Sequence, residues 1–264
     1  MDTLTSKNIA ATYFVRPDSI VRKIWGKGDT ILFIFAGASA EFALNKAVDW
    51  LYFTGRLPAD PLGRLFSTVT YAREIVFSDY QQALLAIDKI TGIHAAVEAS
   101  RGDKIPDWAY RDVLFMLIDY SIRSFEVLER QLSEAEKADV FEVFSRMGNR
   151  MGIKDLPDNY KDWLVMREQH LLQNLIKSNF TIDLYKQYKK HLGLPRYFML
   201  KQAQILVVPD YVRKLLSLGR VPLLKPVLAA YKLTRLIKAD QLLRNIILPK
   251  AYKKQIKDLD ADGI

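Results

Sequence analysis

The chain has no cysteine among its 264 residues. Disulfides, iron–sulfur clusters, thiolate zinc sites and cysteine nucleophiles are therefore excluded. Histidine is scarce too, with three copies, and none has the paired spacing of a zinc or di-metal site. Long hydrophobic runs are missing. The longest, Ile31 to Ala40, is ten residues between Asp29 and Glu41, whereas a spanning helix needs roughly 20. The N-terminus, MDTLTSKNIA, lacks the basic-then-apolar layout of a signal peptide. A soluble, cytoplasmic protein is the expectation. Strand signals are few, since no Asn-Gly or Asp-Gly turn separates alternating runs. There is no Gly-rich phosphate loop, no Gly-x-Ser-x-Gly elbow and no His-Glu-x-x-His.

What remains is ordinary globular material, 50% hydrophobic and 26% charged, long enough to bury a core unaided. Apolar residues recur at steps of three and four, the helical period. Helices are expected near 18–26, 29–54, 60–77, 79–98, 106–130, 133–151, 157–178, 181–192, 195–206, 209–217 and 222–247. Ser133 and Glu136 make a capping box, Asp79 is an N-cap, and Gly152 suits a helix stop. No linker, repeat or low-complexity tract interrupts the pattern. The reading is all-α: one multi-helix domain over 1–264, about ten helices around one apolar core with an internal cavity.

Charge is unevenly placed. Between Tyr211 and Lys254 eleven Lys and Arg stand against one acid, Asp240, so that stretch carries +10 and the remainder −1 of the +9 total. These cations recur among leucines at helical spacing, as a solvated helix face would have them. Docking of 211–254 on an anionic membrane is the alternative. No recognition motif accompanies the charge, so nucleic acid is not an expected partner.

Two features carry chemistry. On the segment 79–98, Ala83, Ile87, Ile90, His94 and Val97 share one face, so His94 points from an apolar surface. A lone histidine there serves as a core residue or as the single imidazole that a b-type haem needs. The segment Asp60-Pro-Leu-Gly-Arg-Leu-Phe-Ser-Thr68 opens a helix with a cap and Pro61 at its first turn. Arg64 and Thr68, four apart, project together with Ser67 beside them. They suit a propionate, an oxygen species or a water, or else a local ion pair and a hydroxyl bonded to its own helix. His170 and His191 stand among charged neighbours and read as surface residues.

The stretches DPLGRLFSTVTYAREIVF and DYQQALLAIDKITGIHAAV resemble the DUF2236 family, which holds the latex-clearing proteins and the mycophenolic-acid-pathway oxygenase (the MpaB and rubber-oxygenase type). Its hallmark is Arg-x-x-Arg/Lys-Thr on one helix and a lone His some 25–30 residues on. Arg64, Ser67, Thr68 and His94 stand here in that order. SIVRKIWG, FAGASAEFAL and LSEAEKADVFEVFSRMGNRMGI extend the likeness over about 18–155, leaving a basic helical part at 209–257. The resemblance implies an all-α fold with haem b, its iron held by His94. It also implies that Arg64 and Thr68 polarise oxygen or hold the haem edge, with Ser67 beside them. O₂-dependent oxidation or C=C cleavage of a hydrophobic small molecule would follow; the isoprenoid substrate belongs to the characterised members and is not carried over to this chain. Two positions depart from the pattern: Ser67 replaces the second cation, and Asn45-Lys46 replaces a His-Pro pair. A family acid on the preceding helix has Glu41 and Asp49 as local candidates, although each reads first as an ordinary helix carboxylate. A non-catalytic lipid or haem binder of the same fold is the alternative function.

Overall fold

The computed structural model describes residues 12–55, 59–219, 221–224, 226 and 228, with backbone alone at 61, 62 and 64–66. Ten helices lie among the described residues: α1 (Ile20–Trp25), α2 (Gly28–Phe42), α3 (Val48–Phe53), α4 (Pro61–Phe77), α5 (Tyr80–Arg101), α6 (Asp107–Leu128), α7 (Glu134–Arg150), α8 (Tyr160–Asn174), α9 (Asn179–Val207) and α10 (Asp210–Leu215). No strand appears among those residues, which carry only two isolated bridges, Tyr13 to Asp79 and Asn45 to Leu175. The fold is all-α. No described helix is long and apolar enough to cross a membrane.

The punctuation follows local chemistry. Ser133 Oγ accepts from Glu136 N, and the Glu136 side chain reciprocates at Ser133 N, which starts α7. Asp79 accepts from Gln82 N at the start of α5. Asp60 accepts from Gly63 N ahead of Pro61. Gly152, with φ 75°, ends the turn after α7, where a left-handed residue satisfies the last carbonyls.

The core forms around α6. This helix buries residues on nearly every side, among them Phe115, Ile118, Tyr120 and Leu128, as a helix enclosed by others must. Helix α2 packs closest against it, and Gly37 makes that approach possible. A Cβ at Gly37 would overlap the Tyr120 ring.

Three expectations need correction. The helix expected over 29–54 breaks at 43–47, because Asn45 Oδ1 accepts from Ala47 N and the turn is pinned to the end of α8. Lys46 N donates to Asn174 O at 2.9 Å and Ile176 N to Leu44 O at 2.8 Å. The segment near 157–178 is helical only over Tyr160–Asn174, since the chain extends there to pair with that turn. The third is His170, expected at the surface but buried. Its Nδ1 lies 2.5 Å from Asp112 Oδ1, and Asn45 Nδ2 (2.8 Å) and Asn174 Nδ2 (3.0 Å) donate to Asp112 Oδ2. Helix α8 turns Trp163, Arg167, His170 and Leu171 inward, so two polar residues meet the carboxylates of α6. His191 is exposed, as expected.

The second inward polar residue, Arg167, donates to both oxygens of Glu41 at 2.5 and 2.6 Å and to Asp119 Oδ2 at 3.0 and 3.1 Å. Tyr120 Oη donates to Glu41 at 2.7 Å, and Arg123 Nε to Asp119 at 2.6 Å. Most of the expected helix 222–247 and most of the basic stretch 211–254 lie outside the described residues.

Candidate functional site

Helices α4 and α5 are joined by Ser78 and Asp79 alone, a connection so short that they pack as an antiparallel pair. Arg64 lies fourteen residues before Ser78 and His94 fifteen after Asp79. Equal rise per residue therefore sets Arg64 and His94 at one level of the pair. Thr68 lies nearer the turn, roughly 6 Å along the axis from Arg64. Thr68 and Ser67 are half-buried. The Arg64 side chain lies outside the described residues.

The His94 ring is half-buried, with its Nδ1 shut off from solvent. The same face of α5 is buried at Ala83 and Ile87 and half-buried at Ile90, His94 and Val97. One side of the imidazole is walled by Tyr110 of α6, whose ring meets it edge-on at 5.2 Å. Tyr110 Oη donates to Glu98 Oε1 at 3.2 Å, one turn beyond His94. Glu98 also accepts from Ile105 N at 3.0 Å and Lys104 Nζ at 2.9 Å. Burial would push the Glu98 carboxyl up. The lysine, the amide and the phenol together hold it below its usual range. Burial and the adjacent Glu98 push the Tyr110 phenol up, so it stays a protonated donor.

The end of α5 is fixed against α3. Arg101 Nη2 donates to Asp49 Oδ2 at 2.7 Å, and its guanidinium lies 4.0 Å from the Trp50 ring centre, a favourable cation–π placement. Ala47, Trp50 and Ala109 make a small satellite core with Val97, Ile105 and Trp108 around them. Asp49 and Glu41, the two candidates for a family acid, are thus each held by an arginine.

The sequence did not disclose Tyr110, Glu98 or the Arg101–Trp50 contact. Glu98 falls four residues after His94, a spacing that puts both on one face. That was the one local signal.

The model of the family described as ER-bound oxygenase mpaB/B'/Rubber oxygenase, catalytic domain, matches residues 23–239. The chain belongs to this family. The match runs well past residue 155, where the visible likeness fades, and takes in the second half of α1 and all of α2 to α10. No curated protein matches the chain, and no solved structure does.

The oxygenase family implies a bound metal or haem. No group of three or more His, Asp or Glu able to hold a bare metal ion occurs among the described residues. A b-type haem asks for less: one imidazole and an apolar surround. His94 fits that demand. It stands half-buried on a face shared with Ile87, Ile90 and Val97, with one ring nitrogen turned inward and the ring braced by Tyr110.

Proposed function

We propose that the protein is a haem-dependent oxygenase acting on a hydrophobic small molecule. The observation that carries this reading is His94, half-buried and braced at the level of Arg64 on the partner helix, inside the family-matched span. His94 would hold the haem iron. Bound there, haem would supply the redox-active iron through which O₂ reacts with a C=C bond.

The chain's own residues supply orientation and electrostatics. Tyr110 and Glu98 keep the imidazole from rotating, because the phenol against its ring is itself hydrogen-bonded. Arg64 and Thr68 would supply donors for a carboxylate edge or for developing negative charge, and such donors count most where water is excluded. Ser67 adds a neutral hydroxyl. The apolar face of α5 offers the dry contact that a hydrocarbon needs.

Incubating reduced, haem-loaded protein with O₂ and a long polyisoprenoid tests the activity. Carbonyl-bearing cleavage products support the oxygenase. A second reading is a carrier that holds lipid or haem without turnover, and it is favoured by Ser67 in place of the family's cation. Quantitative recovery of intact polyisoprenoid from a haem-loaded sample would establish the carrier instead.

A further inference from the structure

Helix α9 is two arms rather than one rod. Gly193, at φ 72° and ψ 166°, breaks it and Pro195 restarts it. Tyr185 Oη donates to Gln204 Oε1 at 3.0 Å, across nineteen residues. In a straight helix that separation would be about 28 Å, so the arms fold back on each other. Both return to α2: Tyr188 Oη reaches Ser39 O at 3.3 Å and Gln204 Nε2 reaches Ser39 Oγ at 3.3 Å. The bend therefore projects away from α2, with Leu194 at its tip.

The tip is apolar and in solvent. Leu194 is 67% exposed and Phe198, one turn on, 51%. A Cβ at Gly193 would meet nothing within 4 Å. The chain beyond α10 returns to the second arm, where Leu223 N donates to Gln202 Oε1 at 2.7 Å, and it adds exposed Val221 and Leu223. Along the chain on either side of the tip the charge has one sign. No acid occurs from Leu184 to Pro209, while Lys186, Lys189, Lys190, Arg196 and Lys201 do. Lys186, Lys189 and Lys190 are exposed and make no ion pair among the described residues.

We propose that this elbow docks the protein on an anionic lipid bilayer, Leu194 and Phe198 entering the headgroup boundary and the lysines lying over acidic lipid. A protruding apolar tip inside a cationic collar matches the two layers of such a surface, oil beneath negative charge. Each lysine near an acidic leaflet contributes about fivefold in partitioning, and seating one leucine about tenfold or more. The surface lies on α9 and does not depend on the haem reading, so either can fail alone.

The test is co-sedimentation of the full chain with vesicles of phosphatidylcholine, with and without about 30% phosphatidylserine, enough for a strong surface potential. Binding is expected to the acidic vesicles and to be at least about tenfold weaker for Leu194→Asn/Phe198→Asn and for Lys189→Glu/Lys190→Glu. The indole of a Leu194→Trp variant should be quenched by brominated acyl chains, which reads insertion directly. Charge reversal at Lys232, Arg235 and Lys238 should leave most of the binding intact. Wild-type binding by both elbow variants, or an unquenched indole in Leu194→Trp, would overturn the proposal. So would a dimer in sedimentation velocity that Leu194→Asn dissolves, because the tip would then be a contact between copies of the chain.

Discussion

Replacing Arg167 with methionine tests how the interior is held together. Arg167 is 4% exposed and makes four hydrogen bonds, two to Glu41 and two to Asp119. Arg167→Met fills the space but strands both carboxylates. Glu41 would keep only the Tyr120 hydroxyl, and Asp119 only Arg123. Removing one partner of a buried pair costs about 3–5 kcal/mol. Arg167→Met/Glu41→Gln should recover at least about 1–2 kcal/mol of that loss, since the neutral amide no longer needs a cation and still accepts from Tyr120. Arg167→Lys should fall between, because an ammonium cannot form the paired fork. The acid limb should move as well. Burial would push the Asp119 carboxyl up, but Arg123 and Arg167 outweigh it and hold it below its usual range. Its contribution is complete above the unfolded value, about 3.9, and is lost as pH falls through the folded one. Arg167→Met should therefore begin to unfold at higher pH. Urea titration followed by far-ultraviolet circular dichroism and tryptophan fluorescence at about pH 7 and about pH 3, above and below the unfolded carboxylate value, measures both effects. A single variant within about 1 kcal/mol of wild type, with an unmoved acid limb, would refute the reasoning.

Other consequences are independent of that network. Gly37→Ala should destabilise by about 1–3 kcal/mol, because its methyl overlaps the Tyr120 ring between α2 and α6; thermal unfolding with intact far-ultraviolet signal at low temperature checks it. At the α7 cap, Arg130 and the Ser133 amide lower the Glu136 carboxyl to about 2 from 4.5. That contribution is full above about pH 4.5 and fades towards about pH 2. Arg130→Ala should move the Glu136 carboxyl-carbon titration back towards 4.5, and an unshifted curve would mean that the pair does not form in solution.

Legibility in the sequence followed the range of each interaction. The caps at Asp60, Asp79 and Ser133 and the stop at Gly152 were visible because donor and acceptor are within a few residues. The interruption at Gly193–Pro195 was visible too, as separate segments 181–192 and 195–206. The fold-back was not, since it depends on Tyr185 and Gln204 meeting side to side. The break at 43–47 was hidden because Ala43, Leu44, Ala47 and Val48 keep helical apolar spacing straight through it. The buried polar pairs were hidden for another reason. Arg167 and His170 stand among charged neighbours, and their partners Glu41 and Asp112 lie 126 and 58 residues away. Asp112 and Asp119, seven apart on an apolar helix, were the readable hint, since buried carboxylates require partners from elsewhere. At the candidate site the order Arg64, Ser67, Thr68, His94 was legible as a family pattern. What braces His94 was not, because Tyr110 arrives from a different helix.

The central claim is that His94 binds haem iron. The most direct measurement is an optical titration of the purified full chain with haemin, run beside His94→Ala and a Tyr110→Phe control. A saturating one-to-one Soret band is expected for the wild type and for Tyr110→Phe, with its loss or displacement in His94→Ala. A His94→Ala protein with an unchanged Soret band and unchanged affinity would contradict it.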